Sequence, residues 1–268
     1  MGDCRNEGLR IMNFAYIIGT AGAGKSTLVS RLIPYIQQFN PEINAISVNL
    51  DPGVRVLPYE PDVDVRDFID IDEIIDKYQL GPNGALVAAT DMMITSIDDI
   101  KDEIEEYNDP EWVFVDTPGQ LELFAFRNTG PIIANALGEE KKAVVFLFDT
   151  NLCKTPAGFV SSLLLSASVQ YRFLGISQIN CLSKIDLFDD ATVDRITEWS
   201  TNFEKLRDAV DREQEGSIRE MNTMLAGVFQ NLGNLGGLVA TSSNLADGID
   251  YLWGTLQRIF SDEESRKI

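Results

Sequence analysis

The segment Gly19-Thr-Ala-Gly-Ala-Gly-Lys25-Ser26 has the form G-x-x-x-x-G-K-[ST] and leaves few folds open to this chain. The apolar run Phe14-Ala-Tyr-Ile-Ile18 precedes it and an amphipathic stretch follows from Thr27, so the order is strand, loop, helix. In that context the glycines Gly19, Gly22 and Gly24 are expected to take backbone conformations closed to other residues. Successive N–H groups, Ala23 included, then turn inward as an anion cradle. The start of the helix, through Thr27, adds unpaired N–H groups and partial positive charge. Lys25 would reach the β- and γ-phosphates of a nucleotide, and the Ser26 hydroxyl would ligate Mg²⁺.

The rest of the chain repeats the pattern of an apolar strand ending in a polar group. Asn44–Asn49 runs to Asp51, and Trp112-Val-Phe-Val-Asp116 runs into Thr117-Pro-Gly119-Gln120. Ala143–Phe148 ends at Asp149, 176–182 ends in Ser183-Lys184-Ile185-Asp186, and 236–241 is followed by Ser242 and Ser243. In an open parallel sheet such strand ends face the ligand crevice. Asp116 is placed to hold Mg²⁺ through water, with Asp51 a further metal candidate, and Gly119 to offer its N–H to the γ-phosphate. A carboxylate at Asp186 can accept two hydrogen bonds from guanine, whereas adenine has no such donor pair on that edge; Ser242 and Ser243 lie where they can touch the base.

Strands alternating with helical periods predict an α/β, three-layer P-loop NTPase, its mainly parallel central sheet flanked by helices, with a helical insertion. Residues 1–12 read as a flexible extension, 13–261 as one domain, 189–235 as the insertion (extra helices over the sheet, or a lid or docking surface), and 262–268 as a solvated tail. Pro34 falls inside the first helix, where a proline costs about 3 kcal/mol unless the helix kinks. The acidic run from Val54 to Lys77 reads as a solvated face with helix caps, and Gly81-Pro82-Asn83-Gly84 as a reverse turn. Leu86, Thr90, Met93, Ile97, Ile100, Ile104 and Tyr107 predict one continuous helix of roughly 35 Å.

Composition removes several classes of function. The chain has no histidine, which excludes a histidine base or a Ser-His-Asp triad. A net charge of −20 opposes binding to nucleic acid or anionic membranes. No apolar run is long enough to span a bilayer and no signal peptide opens the chain, so a cytoplasmic protein is expected. Cys4, Cys153 and Cys181 read as free thiols, Cys181 buried.

With Gly81-Pro82-Asn83 between the second and third of these strands, and with Val48-Asn-Leu-Asp-Pro52, Leu57-Pro-Tyr-Glu-Pro61 and Asp64-Val-Arg-Asp67, the chain resembles the GPN-loop GTPases. The resemblance runs from about Phe14 to the last helix and is weakest over 189–235. It implies a Mg²⁺-dependent GTPase that binds GTP and GDP. It also implies a homodimer, as in archaeal members, or pairing of paralogues, as in eukaryotes. The 81–84 loop of one subunit would reach the γ-phosphate of the other, with Asn83 acting in trans while Asp51 and Gln120 position the attacking water. Eukaryotic members are linked to RNA polymerase assembly, which makes polymerase subunits the implied client. The family usually has Asn where this chain has Ser183, whose shorter side chain is expected to lose contacts to the base and the phosphate loop. A P-loop small-molecule kinase and a nucleotide-gated scaffold with little turnover are the alternatives.

Overall fold

A computed structural model describes residues 12–107, 110–138, 141–232, 237–242 and 247–265. The order is β1 (Asn13–Gly19), α1 (Lys25–Phe39), β2 (Ala45–Asn49), β3 (Val63–Asp64), α2 (Ile71–Tyr78), α3 (Pro82–Met92), α4 (Ile97–Glu106) and β4 (Trp112–Asp116). There follow α5 (Thr129–Leu137), β5 (Lys141–Asp149), α6 (Thr150–Cys153), α7 (Pro156–Arg172) and β6 (Ser177–Ser183). The chain continues through α8 (Asp190–Thr201), α9 (Phe203–Glu213), α10 (Gly216–Leu232), β7 (Leu238–Ala240) and α11 (Ile249–Ser265).

The seven strands form one parallel sheet in the order β3-β2-β4-β1-β5-β6-β7. Parallel strands are buried on both faces, which is why they read as unbroken apolar runs. Along β1, Phe14, Tyr16 and Ile18 enter one apolar cluster while Ala15 and Ile17 enter the other. The second cluster is covered by Leu28, Leu32 and Ile36 of α1 and by Leu252, Trp253 and Leu256 of α11. There Trp112 meets Trp253 edge-on, with ring centroids 4.6 Å apart. The opposite face is covered by residues such as Ala89, Ile100, Ile133, Leu163, Ile196, Leu206 and Phe229, from α3 to α10. Each such leucine or isoleucine contributes about 1.5–3 kcal/mol by leaving water. Helices α8 to α10 thus add to the layer over the sheet, while Ile218, Met221, Met224 and Val228 on α10 remain exposed.

Three local expectations are corrected. Residues 81–84 form no reverse turn: Gly81 caps α3 and Pro82 is its first residue, where a missing N–H costs nothing. The predicted long helix is two, α3 and α4. Between them the N–H groups of Ile94, Thr95 and Ser96 bond back three residues, to Asp91, Met92 and Met93, and the Thr95 hydroxyl also donates to the Met92 carbonyl. Hydroxyl side chains compete for helix carbonyls in this way. Met93, Ile97, Ile100 and Ile104 stay buried across the break. The acidic run is not all solvated either: Asp64 is buried in β3, at the sheet edge, while Asp70 caps α2 as expected. Pro34 does lie within α1, on its exposed face, where water can take up the carbonyl left unpaired.

Candidate functional site

Most of the polar groups singled out in the sequence lie at the C-terminal ends of the strands, beside the loop after β1. Gly22 and Gly24 have φ of 76° and 97°, left-handed values that demand glycine and turn the chain into α1. Gly19 serves a different purpose, because its φ is not positive. A Cβ there would lie 3.0 Å from that of Leu147 and 3.3 Å from that of Ala23, so close packing against β5 requires the glycine. Lys25 is 5% exposed; its Nζ donates to the carbonyls of Gly19 at 3.0 Å and Thr20 at 3.2 Å. Burial lowers its pKa, and the charges of Asp116 and Asp51 pull it back up.

On the β2–β4 side, Asp51 lies just beyond β2. Its Oδ1 accepts the Gly53 N–H at 3.0 Å and its Oδ2 the Gly119 N–H at 2.9 Å. The N–H expected to face a γ-phosphate is therefore engaged by a carboxylate. Asn49 steadies Asp51, accepting its backbone N–H at 3.0 Å while donating to Asp64 at 2.9 Å. Asp64 is held in turn by Arg66, which also donates to the Val54 carbonyl. Hydrogen bonds from Arg66 and Asn49 hold the Asp64 carboxyl below its ordinary pKa, outweighing the upward pull of burial.

Asp116, at the end of β4, is 1% exposed. Its Oδ2 accepts the Tyr59 hydroxyl at 3.1 Å, Ser26 hydrogen-bonds the carboxylate, and Oδ1 is buried with no hydrogen-bond partner. Burial pushes this carboxyl up to about 6, against Ser26, Lys25 and Tyr59, which favour its charged form. A buried carboxylate with one unpartnered oxygen, hydrogen-bonded by a serine hydroxyl, suits a hard cation such as Mg²⁺. Among the described residues no group of three or more His, Cys, Asp or Glu forms a cage. A magnesium held by few protein groups, with phosphate oxygens and water completing its shell, matches such a set. Gln120 and Asn83 are both exposed, and the structure brings neither side chain into a described hydrogen bond.

The β5–β7 side carries the other box. Ser183, 5% exposed, donates to the carbonyl of Ala23 in the phosphate loop at 2.7 Å and to that of Phe148 at 3.2 Å. The expectation that its short side chain loses the phosphate loop is thus corrected, since β6 lies close enough for a serine to span the gap. Lys184 takes a left-handed backbone (φ 61°), rare for a side-chain-bearing residue, and its Nζ pairs with Asp149 at 2.9 Å. Its side chain runs beside Gly24. Asp186 accepts from the buried Ser242 hydroxyl at 2.8 Å. Ser243 lies outside the described residues.

Among these groups, Asn49, Tyr59, Asp64 and Arg66 had no role assigned from the sequence. They occupy the motifs around Asp51, and buried polar residues on a strand or between two prolines were the signal available.

A family model described as a conserved hypothetical ATP binding protein matches residues 17–262. GPN-loop GTPase 3 of Dictyostelium discoideum is 30% identical over 208 residues, covering 77% of this chain and 68% of that protein. The chain belongs to the GPN-loop GTPase family.

Other GPN-loop relatives agree. GPN-loop GTPase 1 of Saccharomyces cerevisiae is 31% identical over 248 residues, 87% of this chain and 62% of that one. The chain spans between 55% and 65% of the length of four such relatives. A GTPase from Pyrococcus abyssi, solved in its apo form, superposes with a TM-score of 0.80 at 25% identity, covering 92% of this chain and 97% of that one. The GPN tripeptide that names the family is here Gly81-Pro82-Asn83, presented at the exposed start of α3.

Proposed function

We propose that this GPN-loop protein is a Mg²⁺-dependent GTPase that works as a homodimeric switch in the cytoplasm. The observation that carries the nucleotide assignment is the box after β6: Ser183 ties it to the Ala23 carbonyl, Lys184 runs beside Gly24 of the same loop, and Asp186 follows two residues on, held by Ser242. In this reading Asp186 accepts from the guanine edge, with Ser242 orienting it and Ser243 beside the base. Lys184 covers the base plane, its ammonium fixed by Asp149. The loop of Gly22, Ala23, Gly24 and Thr27 holds the phosphate chain, and Lys25 exchanges its carbonyl partners for β- and γ-phosphate oxygens.

Ser26 and Asp116 would hold Mg²⁺, Asp116 through water, with Asp51 close by. The ion would supply neutralisation of charge on the β- and γ-oxygens. Hydrolysis of the β–γ bond then needs a placed water and little base strength, which suits a chain without histidine. Asp51 and Gln120 orient that water, and Gly119 turns its N–H from Asp51 to the γ-phosphate. Asn83, exposed at the tip of α3, reaches the γ-phosphate of the partner subunit. By the family resemblance, the switch would assist assembly of a protein client related to RNA polymerase.

Calorimetry with Mg²⁺·GDP and Mg²⁺·ADP, on wild type and Asp186→Ala, tests the reading. GDP preference that collapses in the variant supports it. Equal or ADP-favouring affinity overturns it and moves an ATP-dependent activity, in keeping with the description of the family model, to the front.

A further inference from the structure

Tyr59 comes from a stretch without regular structure between β2 and β3, yet its hydroxyl reaches Asp116 at the end of β4. The two residues are 57 apart in sequence, so this contact exists only because the fold brings the segment back over the sheet edge. The ring packs against the apolar cluster beneath α1 and α11, and Pro58 and Pro61 on either side restrict the backbone that carries it. The result is a donor held at a fixed place against one oxygen of a buried carboxylate.

The two oxygens of Asp116 are thereby made unequal. Oδ2 is taken by Tyr59, and Oδ1 is buried without a hydrogen-bond partner. Asp116 cannot fix its own orientation, because rotation about χ2 exchanges the two oxygens. The hydrogen bond from Tyr59 to one of them fixes the plane of the carboxylate and leaves Oδ1 as the oxygen without a protein donor. Partners that orient a metal's carboxylates typically change metal affinity or activity 10- to 100-fold when removed.

We propose that Tyr59 is a positioning residue for the magnesium site: its hydroxyl holds Oδ2 of Asp116 and so presents Oδ1 to the hydrated ion. The inference rests on the GTPase reading above, but it concerns a residue which that reading does not use. Its consequence is specific. Removing the hydroxyl leaves the phosphate loop and the base box intact and weakens only the part of binding that magnesium adds.

The test is calorimetric GDP binding in EDTA and across a magnesium titration, for wild type and Tyr59→Phe. The phenyl ring keeps the apolar packing; Tyr59→Leu serves as a second variant should the first fail to fold. The expected result is unchanged GDP affinity in EDTA, with the magnesium concentration for half-maximal tightening raised about tenfold. An unaltered magnesium response in the variant overturns the inference and leaves the GTPase reading standing. Equal weakening with and without magnesium also overturns it, since that is what a purely structural tyrosine would do. Absence of any magnesium effect in wild type overturns the inference together with the reading beneath it.

Discussion

The Oδ2 atom of Asp51 accepts the backbone N–H of Gly119 at 2.9 Å, joining the loop after β2 to the loop after β4 across the mouth of the site. A γ-phosphate that takes the Gly119 N–H must displace Asp51. The displaced carboxylate is then free to hold water. Asp51→Ala is expected to keep GDP affinity within about threefold and to lower GTP turnover by at least about 100-fold, the scale of losing one preorganised transition-state contact. Single-turnover hydrolysis beside GDP titration checks this; unchanged turnover in both Asp51→Ala and Gln120→Ala would remove both from the water-positioning role.

Ser183→Ala deletes a buried hydroxyl that satisfies the carbonyls of Ala23 and Phe148. Leaving a buried acceptor unpaired costs about 1–3 kcal/mol. A lower midpoint in urea unfolding is expected, with weaker GDP binding because the base box and phosphate loop lose their tie. Stability and affinity equal to wild type would show that water replaces the hydroxyl.

The Asp116 carboxyl titrates at about 6 in the folded chain against an ordinary value of 3.8, so between those values the folded state holds more protons than the unfolded. Its contribution to stability is complete below the unfolded value and is lost as pH rises through about 6. Measured against Asp116→Asn, wild type should therefore lose roughly 2 kcal/mol of relative stability between pH 4 and pH 7. Urea unfolding of both chains at several pH values reads this directly, and a constant difference would contradict it. The same protonation should weaken the magnesium-dependent part of GDP binding below about pH 6.

Asn83 lies exposed at the first turn of α3, and the proposed function gives it to the site of a second subunit. Mixing Asn83→Ala with Lys25→Ala chains, under conditions that exchange subunits, should restore turnover in heterodimers, where one site holds an intact Lys25 and an Asn83 from the partner. About a quarter of wild-type activity is the statistical expectation for equal mixing with one live site per heterodimer. No recovery, with exchange verified, would place Asn83 outside the partner's site.

What was legible in the sequence was whatever repeats on a fixed period or fills a fixed pattern. The phosphate loop, the buried strands and the polar groups at their ends all answer to steric rules a few residues long. The break between α3 and α4 was hidden because the apolar seam through Met93 and Ile97 stays in phase across it, while the hydroxyl of Thr95 ends the helix locally. Tyr59 was illegible for the opposite reason: nothing near it in sequence says that Asp116 will be its partner. Asp64 looked like one more surface acid until Arg66 and Asn49 closed on it.

The strand order has one more consequence. β1 stands in the middle of the sheet, with β4, β2 and β3 on one side and β5, β6 and β7 on the other. Asp51, Asp116, Gly119 and Gln120 belong to the first half; Asp149, Ser183, Lys184 and Asp186 belong to the second. Under the proposed function, cleavage and base reading would thus fall to opposite halves of the sheet, joined by one glycine-rich loop. Such a layout lets one half be rewritten for a different base while the other keeps its chemistry, and it lets a loop that has lost turnover go on recognising its nucleotide.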